Sequence, residues 1–272
     1  MLTIFLGSLV GLSLGLTGGG GSLFAVPLLI YVLGIQPQLA TTISLAAVAA
    51  MSAFGAIEAG INKMVEWYAS LIFVLGGMVC APLGVQLAGN LSENVIIIYF
   101  ALLMLIIAAS MWYRAGKPEQ AKVVRVNYQQ DDGNQGAICK LTDDQAIRLT
   151  APCSAVLVLS GAVTGILSGL FGVGGGFLIV PALMFITGLN IHRAVASSLL
   201  IISLIGVSGV SAAFFQGRPV VSDVTGLFIL GGLAGMMAGR LAVKRISSSM
   251  LQRFFSTLIF IIALTMLFFK LQ

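Results

Sequence analysis

Residues 11–45 read GLSLGLTGGGGSLFAVPLLIYVLGIQPQLATTISL, and residues 165–200 read GILSGLFGVGGGFLIVPALMFITGLNIHRAVASSLL. Overlaid at an offset of 154, they place Gly15-Leu16 on Gly169-Leu170, Gly18 on Gly172, Gly20-Gly21 on Gly174-Gly175 and Val26-Pro27 on Val180-Pro181. Gly34 then falls on Gly188, Ala40 on Ala194 and Ser44-Leu45 on Ser198-Leu199. One residue is inserted further on. At offset 155, Gly76-Gly77 meets Gly231-Gly232, Gly84 meets Gly239 and Ser92 meets Ser247. Chance similarity between apolar segments aligns Leu with Val, not this many glycines and a proline. The chain is an internal duplication.

Of the 272 residues, 58% are hydrophobic and 8% charged, with a mean hydropathy of +1.07. Soluble domains carry about 25% charged residues, so this chain has too few to cover a surface in water, and lipid is its expected solvent. The net charge of +5 raises the possibility of a nucleic-acid partner. The basic residues are scattered over short loops and form no stripe, which excludes it. Cys80, Cys139 and Cys153 show no metal or redox spacing. Cys80 and Cys153, in or beside apolar segments, are expected to be small packing residues. No cofactor is implied.

Ten apolar segments are legible: 2–16, 22–33, 38–57, 67–88 and 94–113, then 151–171, 177–187, 192–215, 222–243 and 250–269. Residues 1–16 have no basic leader and have a counterpart in mid-chain, so they are read as part of the fold and not as a signal peptide. The expected organisation is a first membrane repeat over 1–113, a polar linker over 114–150 and a second repeat over 151–272. The linker holds 11 of the 23 charged residues, with a short helix expected at 142–149. A full crossing takes about 20 residues. The second and seventh segments are half that length, and each follows a glycine cluster.

The basic residues set the topology. If each half crosses an odd number of times, twelve of the fourteen Lys and Arg residues collect on one face; only Arg218 and Lys270 lie on the other. An even number divides them nine to five. Lys and Arg concentrate on the cytoplasmic side, so the linker is expected there, with both termini outside. An odd half followed by its copy inserts the other way up. The expected fold is therefore all-α and polytopic. Two inverted-topology repeats each hold about three spanning helices plus a glycine-broken or re-entrant pair, 8–10 membrane segments in all.

The glycine clusters are the candidate site. They read Thr17-Gly18-Gly19-Gly20-Gly21-Ser22 and Phe171-Gly172-Val173-Gly174-Gly175-Gly176, each opening a short helix with Pro27 or Pro181 five or six residues in. A helix start carries about four unpaired N–H groups and roughly half a positive charge. Glycine lets that backbone approach a ligand without side chains in the way. Two such starts confronting each other would cradle a small anion. The expected binding set is Gly18, Gly20, Gly21 and Ser22 from the first turn and Gly172, Gly174, Gly175 and Gly176 from the second. Thr41, Thr42 and Ser44, with Ser197 and Ser198 opposite, are expected to add hydroxyls. Arg193 is the one basic residue near either motif, suited to attracting or gating an anion. Glu58, Lys63 and Glu66 are read as a solvated turn, and the ladder Gly231, Gly235, Gly239 with Gly76, Cys80 and Gly84 as close helix packing. The C-terminal ends of the first and sixth segments also point at the turns, so dipoles alone leave a coupling cation open.

These paired motifs, G-(x)-G-G-G followed by a proline in both halves, resemble the duplicated signature of the TauE/SafE family of membrane permeases, and the resemblance extends over nearly the whole chain. It implies a bacterial or archaeal cytoplasmic-membrane transporter of small organic or sulfur-containing anions, with sulfite, sulfoacetate and related C2 sulfonates as usual substrates. Carried over by position, Gly18, Gly20, Gly21, Gly172, Gly174 and Gly175 form the loops, and Pro27 and Pro181 mark the broken helices. The halves differ where Gly19 faces Val173 and where Gln36-Pro37-Gln38 faces Asn190-Ile191-His192. They are thus expected to supply unequal ligands, the second half carrying more polar chemistry.

The function expected is export of a small anion by alternating access, driven by a proton or sodium gradient or by the substrate's own. A small-anion channel, or a permease for another organic anion, is the alternative. An intramembrane enzyme is not expected: His192 is the chain's single histidine, and no carboxylate pair or H-E-x-x-H lies in a segment. The sequence distinguishes neither the coupling ion nor a monomer from a homodimer.

Overall fold

The computed structural model describes residues 1–116, 151–189, 191–217, 222–243 and 248–271. Among these, every regular element is helical: α1 (Leu2–Thr17), α2 (Ala25–Tyr31), α3 (Pro37–Ile61), α4 (Trp67–Asn90), α5 (Glu93–Gly116), α6 (Ala151–Phe171), α7 (Gly176–Thr187), α8 (Ile191–Phe215), α9 (Ser222–Val243) and α10 (Ser248–Leu271). Lipid offers no hydrogen-bond partner to an unpaired backbone, so apolar segments close their own bonds as helices. Four helices among the described residues are long and apolar enough to cross a membrane: α3, α4, α6 and α8. The fold is the all-α, multi-pass membrane architecture that the composition requires. The expected helix at 142–149 lies outside the described residues, as do Cys139, Arg218 and Ser247.

The expected half-length helices are α2, of 7 residues, and α7, of 12. The segment read as 22–33 is not one helix: a 3-10 turn, Gly20–Phe24, precedes α2. Pro27 has no N–H to offer Leu23, which removes one bond from the first turn of α2, although Pro181 at the same place lies inside α7. The last two glycines of the run, with Ser22, Leu23 and Phe24, form the 3-10 turn instead.

The principal packing runs between the halves. α1 lies along α9, α4 along α6, α3 against α8 and α5 against α10. Exchanging each helix for its counterpart turns the α1–α9 contact into α6–α4 and returns α3–α8 and α5–α10 to themselves. Contacts at the glycines give the directions. Gly7, Gly11 and Gly15 press on Phe228, Gly232 and Met236, so α1 and α9 run parallel. Gly161, Gly165 and Gly169 press likewise on Phe73, Gly77 and Ala81, so α6 and α4 also run parallel. Gly206 meets Ala49 while Gly209 meets Leu45, so the counterparts α3 and α8 run antiparallel.

The glycine ladders do what their spacing predicts. A Cβ on Gly231, Gly235 or Gly239 would lie 2.1, 1.9 or 2.5 Å from the carbonyl oxygen of Ile4, Ser8 or Leu12. Backbones approach this closely only where side chains are absent, and dispersion plus weak Cα–H···O contacts replace the hydrophobic drive that lipid removes. The apolar window of α3 is 72% buried, against 39% for α6, which puts α3 at the centre of the bundle. Large apolar side chains such as Leu75, Val79, Leu159 and Phe260 face outward, as a lipid-facing surface requires. Cys80 is a half-buried free thiol, whereas Cys153, in the first turn of α6, is buried and disulfide-bonded. Packing alone therefore describes Cys80 but not Cys153.

Candidate functional site

The first turn is held by its own half. Gly18 ends α1 in the left-handed region, φ 70°, and its N–H donates to the Leu14 carbonyl at 2.8 Å. The Thr17 hydroxyl donates to the Ser13 carbonyl at 2.8 Å and accepts the Gly21 N–H at 3.1 Å. The buried Ser22 hydroxyl donates to the Gly19 carbonyl at 2.8 Å. One helix-start donor is thereby already capped. The second turn is built from Gly172, Gly174 and Gly175, with φ of 70°, 72° and 67°, which L side chains rarely adopt. Gly175 opens α7 with no side chain capping it.

The two turns approach from opposite ends of the antiparallel α3–α8 pair. Gly172 packs on Thr41, near the start of α3, and Gly18 packs on its counterpart partner Val195, near the start of α8. They meet in between. A Cβ on Gly176 would lie 2.6 Å from the Cα of Gly19, so the loops touch backbone to backbone. Gly174 sits there between Val48 and Ile202, which are repeat counterparts of each other. Crossed hydrogen bonds fasten the arrangement: Ser44 donates to the Gly172 carbonyl at 2.8 Å, and Ser198 to the Gly18 carbonyl at 3.0 Å. Each half's serine holds the other half's turn.

The remaining hydroxyls look elsewhere. Thr41 and Thr42 both donate to the Gln38 carbonyl of their own helix, at 2.8 and 3.1 Å, as intramembrane threonines commonly do. Ser197 accepts the Glu66 N–H at 2.9 Å and so serves the start of α4. Arg193 donates to Glu66 at 2.7 Å, and its side chain is 37% exposed against 16% for Glu66. Glu66 is thus not the solvated turn residue expected. The start of α8 packs over the α3–α4 turn and takes the carboxylate as its partner across 127 residues of chain. That separation hides the pair from any local reading of the sequence. Thr17, by contrast, stood within the quoted motif, and its spacing of four residues from both Ser13 and Gly21 was the available signal.

Among the described residues no basic side chain lies in either turn, and Arg193 is engaged by Glu66. The positive partial charge available to the turns is that of the helix starts, set against the negative C-terminal ends of α1 and α6.

The family model described as "Sulfite exporter TauE/SafE" matches residues 3–266. A probable membrane transporter protein of Xylella fastidiosa (strain 9a5c) is 34% identical over 271 residues, covering 97% of this chain and 93% of that protein. The probable membrane transporter protein YunE of Bacillus subtilis (strain 168) is 26% identical over 258 residues, covering 90% and 91% respectively. No solved structure gives a significant match. With a family match over nearly its whole length and relatives named as transporters, the chain is a membrane transport protein of the sulfite exporter TauE/SafE family.

Proposed function

We propose that this transporter exports small sulfur-containing oxyanions, sulfite and short sulfonates such as sulfoacetate among them, across a bacterial or archaeal cytoplasmic membrane by alternating access. One observation carries the reading: glycine turns from the two halves meet at Gly19 and Gly176, each fastened by a serine of the opposite half. Main-chain N–H groups of residues 19–20 and 174–176 then hold the anion, while Ser44 and Ser198 position the turns. Since the Gly19–Gly176 contact closes the path, separating the turns is the step that admits substrate. A pair of inverted halves supports that step, because exchanging their conformations exchanges the open side.

The division of basic residues, twelve against two, supports a cytoplasmic linker over 114–150, with both termini outside. The Arg193–Glu66 pair then closes the cytoplasmic end. At the other end Leu39 stands at the repeat counterpart of Arg193. A proton or sodium gradient, or that of the substrate, sets direction.

The test is radiolabelled sulfite and sulfoacetate in reconstituted vesicles. Saturable flux stimulated by substrate on the far side is expected. Flux without saturation or counterflow makes the protein a channel, and no movement of either compound removes the substrate class.

A further inference from the structure

The α3–α4 turn is fastened to α8 by more than its ion pair. The Glu66 N–H donates to the Ser197 hydroxyl at 2.9 Å, and the Glu66 carbonyl accepts the Ser70 hydroxyl at 2.6 Å. Beside them Ala59, Val65 and Ala196 form a small apolar cluster of their own, apart from the main core. Neutral contacts thus hold the main chain of Glu66 in place. Its carboxylate can change partner without the turn leaving α8.

The ion pair itself is incomplete. Arg193 Nη1 donates to one carboxylate oxygen, Glu66 Oε1, at 2.7 Å. A guanidinium carries five N–H donors in a planar fork, and it binds an oxyanion best through two parallel bonds. The Arg193 side chain is 37% exposed, so the pair is not sealed off, and pairs at such sites contribute little.

This pair stands next to the first glycine turn. On the same helix, Val195 packs on Gly18 and Ser198 donates to the Gly18 carbonyl at 3.0 Å. From Arg193 to Ser198 the helix rises only about 7.5 Å. The repeat confines the arrangement to one end of the molecule: the counterparts of Arg193, Ser197 and Glu66 are Leu39, Ile43 and Val221. All three polar residues give way to apolar ones.

We infer that Arg193 captures the substrate anion at the end assigned to the cytoplasm, and that Glu66 is the internal stand-in for that anion. Without substrate, the carboxylate occupies the guanidinium. An incoming oxyanion takes two of the guanidinium donors and releases Glu66, which breaks the contact closing this end. This rests on the anion-transport reading and adds to it a capture step on one face only.

The experiment measures the half-saturating concentration of radiolabelled sulfite in membrane vesicles from expressing cells. Inside-out vesicles present the cytoplasmic face to added substrate, and right-side-out vesicles present the other. At the cytoplasmic face R193Q is expected to raise the concentration about tenfold, through loss of a charge-assisted fork. E66Q keeps an acceptor for Arg193 but removes the competing charge, and is expected to lower it about two- to fivefold. R193K keeps the charge without the fork; it falls between, and serves if R193Q does not reach the membrane. A merely structural pair would send R193Q and E66Q in the same direction, since both break it. Shifts in the same direction, shifts of equal size at both faces, or no shift in either variant overturn the capture step and leave the transport reading standing. No saturable flux in wild type overturns both.

Discussion

Ser44 holds the carbonyl of Gly172, 128 residues away, at 2.8 Å, from inside a fully buried position on α3. The repeat counterpart of that bond is weaker, because Ser198 divides its one proton between the Gly18 carbonyl at 3.0 Å and the Val195 carbonyl at 2.8 Å. S44A is therefore expected to destabilise by about 1–2 kcal/mol, leaving a buried carbonyl short of a donor. S198A is expected to cost less. Unfolding in detergent measures both, and equal losses would mean that the cross-half bond at Gly18 is as strong as that at Gly172.

Glycine substitutions separate contact from mere composition. G176A drives a Cβ to 2.6 Å from the Gly19 Cα and is expected to cost about 1–3 kcal/mol and abolish transport. Gly226, in α9, has nothing within 4 Å of its would-be Cβ. G226A is expected to be neutral or to stabilise by up to about 1 kcal/mol, since alanine favours helix. Transport assays alongside unfolding check the pair, and full activity in G176A would remove the turn contact from the mechanism.

The Arg193–Glu66 pair predicts rescue by charge exchange. R193E or E66R alone places like charges together at a partly exposed site, whereas R193E/E66R restores an opposite pair. A coupling of about 0.5–1 kcal/mol is expected, shrinking in high salt. A double-mutant cycle of unfolding at two salt concentrations measures it, and zero coupling at low salt would show the contact to be energetically idle.

A site polarised only by helix ends favours a single negative charge. Desolvation rises with the square of the charge, roughly fourfold for a dianion, while attraction to helix-end partial charges only doubles. With no basic side chain in either turn, hydrogen sulfite is the expected species. Vesicle flux per total sulfite should rise as pH falls through the hydrogen sulfite–sulfite equilibrium. A fall with acidification would point to the dianion and to a cationic group not identified in the turns.

Much of the architecture was legible because lipid simplifies the physics. An apolar run must become a helix, so the segments read as 177–187 and 192–215 are α7 (Gly176–Thr187) and α8 (Ile191–Phe215). The ladder of Gly231, Gly235 and Gly239 announced a close helix contact, though not that α1 would be its partner. The geometry of the candidate site was half legible. Glycine and proline spacing located the turns, because φ near 70° and a missing N–H leave marks in sequence. Hydroxyl orientation leaves none: Thr42 and Ser44 are two residues apart on α3, yet one bonds its own helix and the other the opposite half.

By itself the sequence determined a duplicated, membrane-embedded, all-helical chain interrupted twice by glycine, since burial in lipid and backbone geometry act on each segment locally. Which half grips which turn, that Arg193 finds Glu66, and that Gly176 abuts Gly19 were decided only in the tertiary structure. These depend on distances between groups more than a hundred residues apart, or on a few tenths of an ångström of packing. Both emerge only when the two halves close on each other.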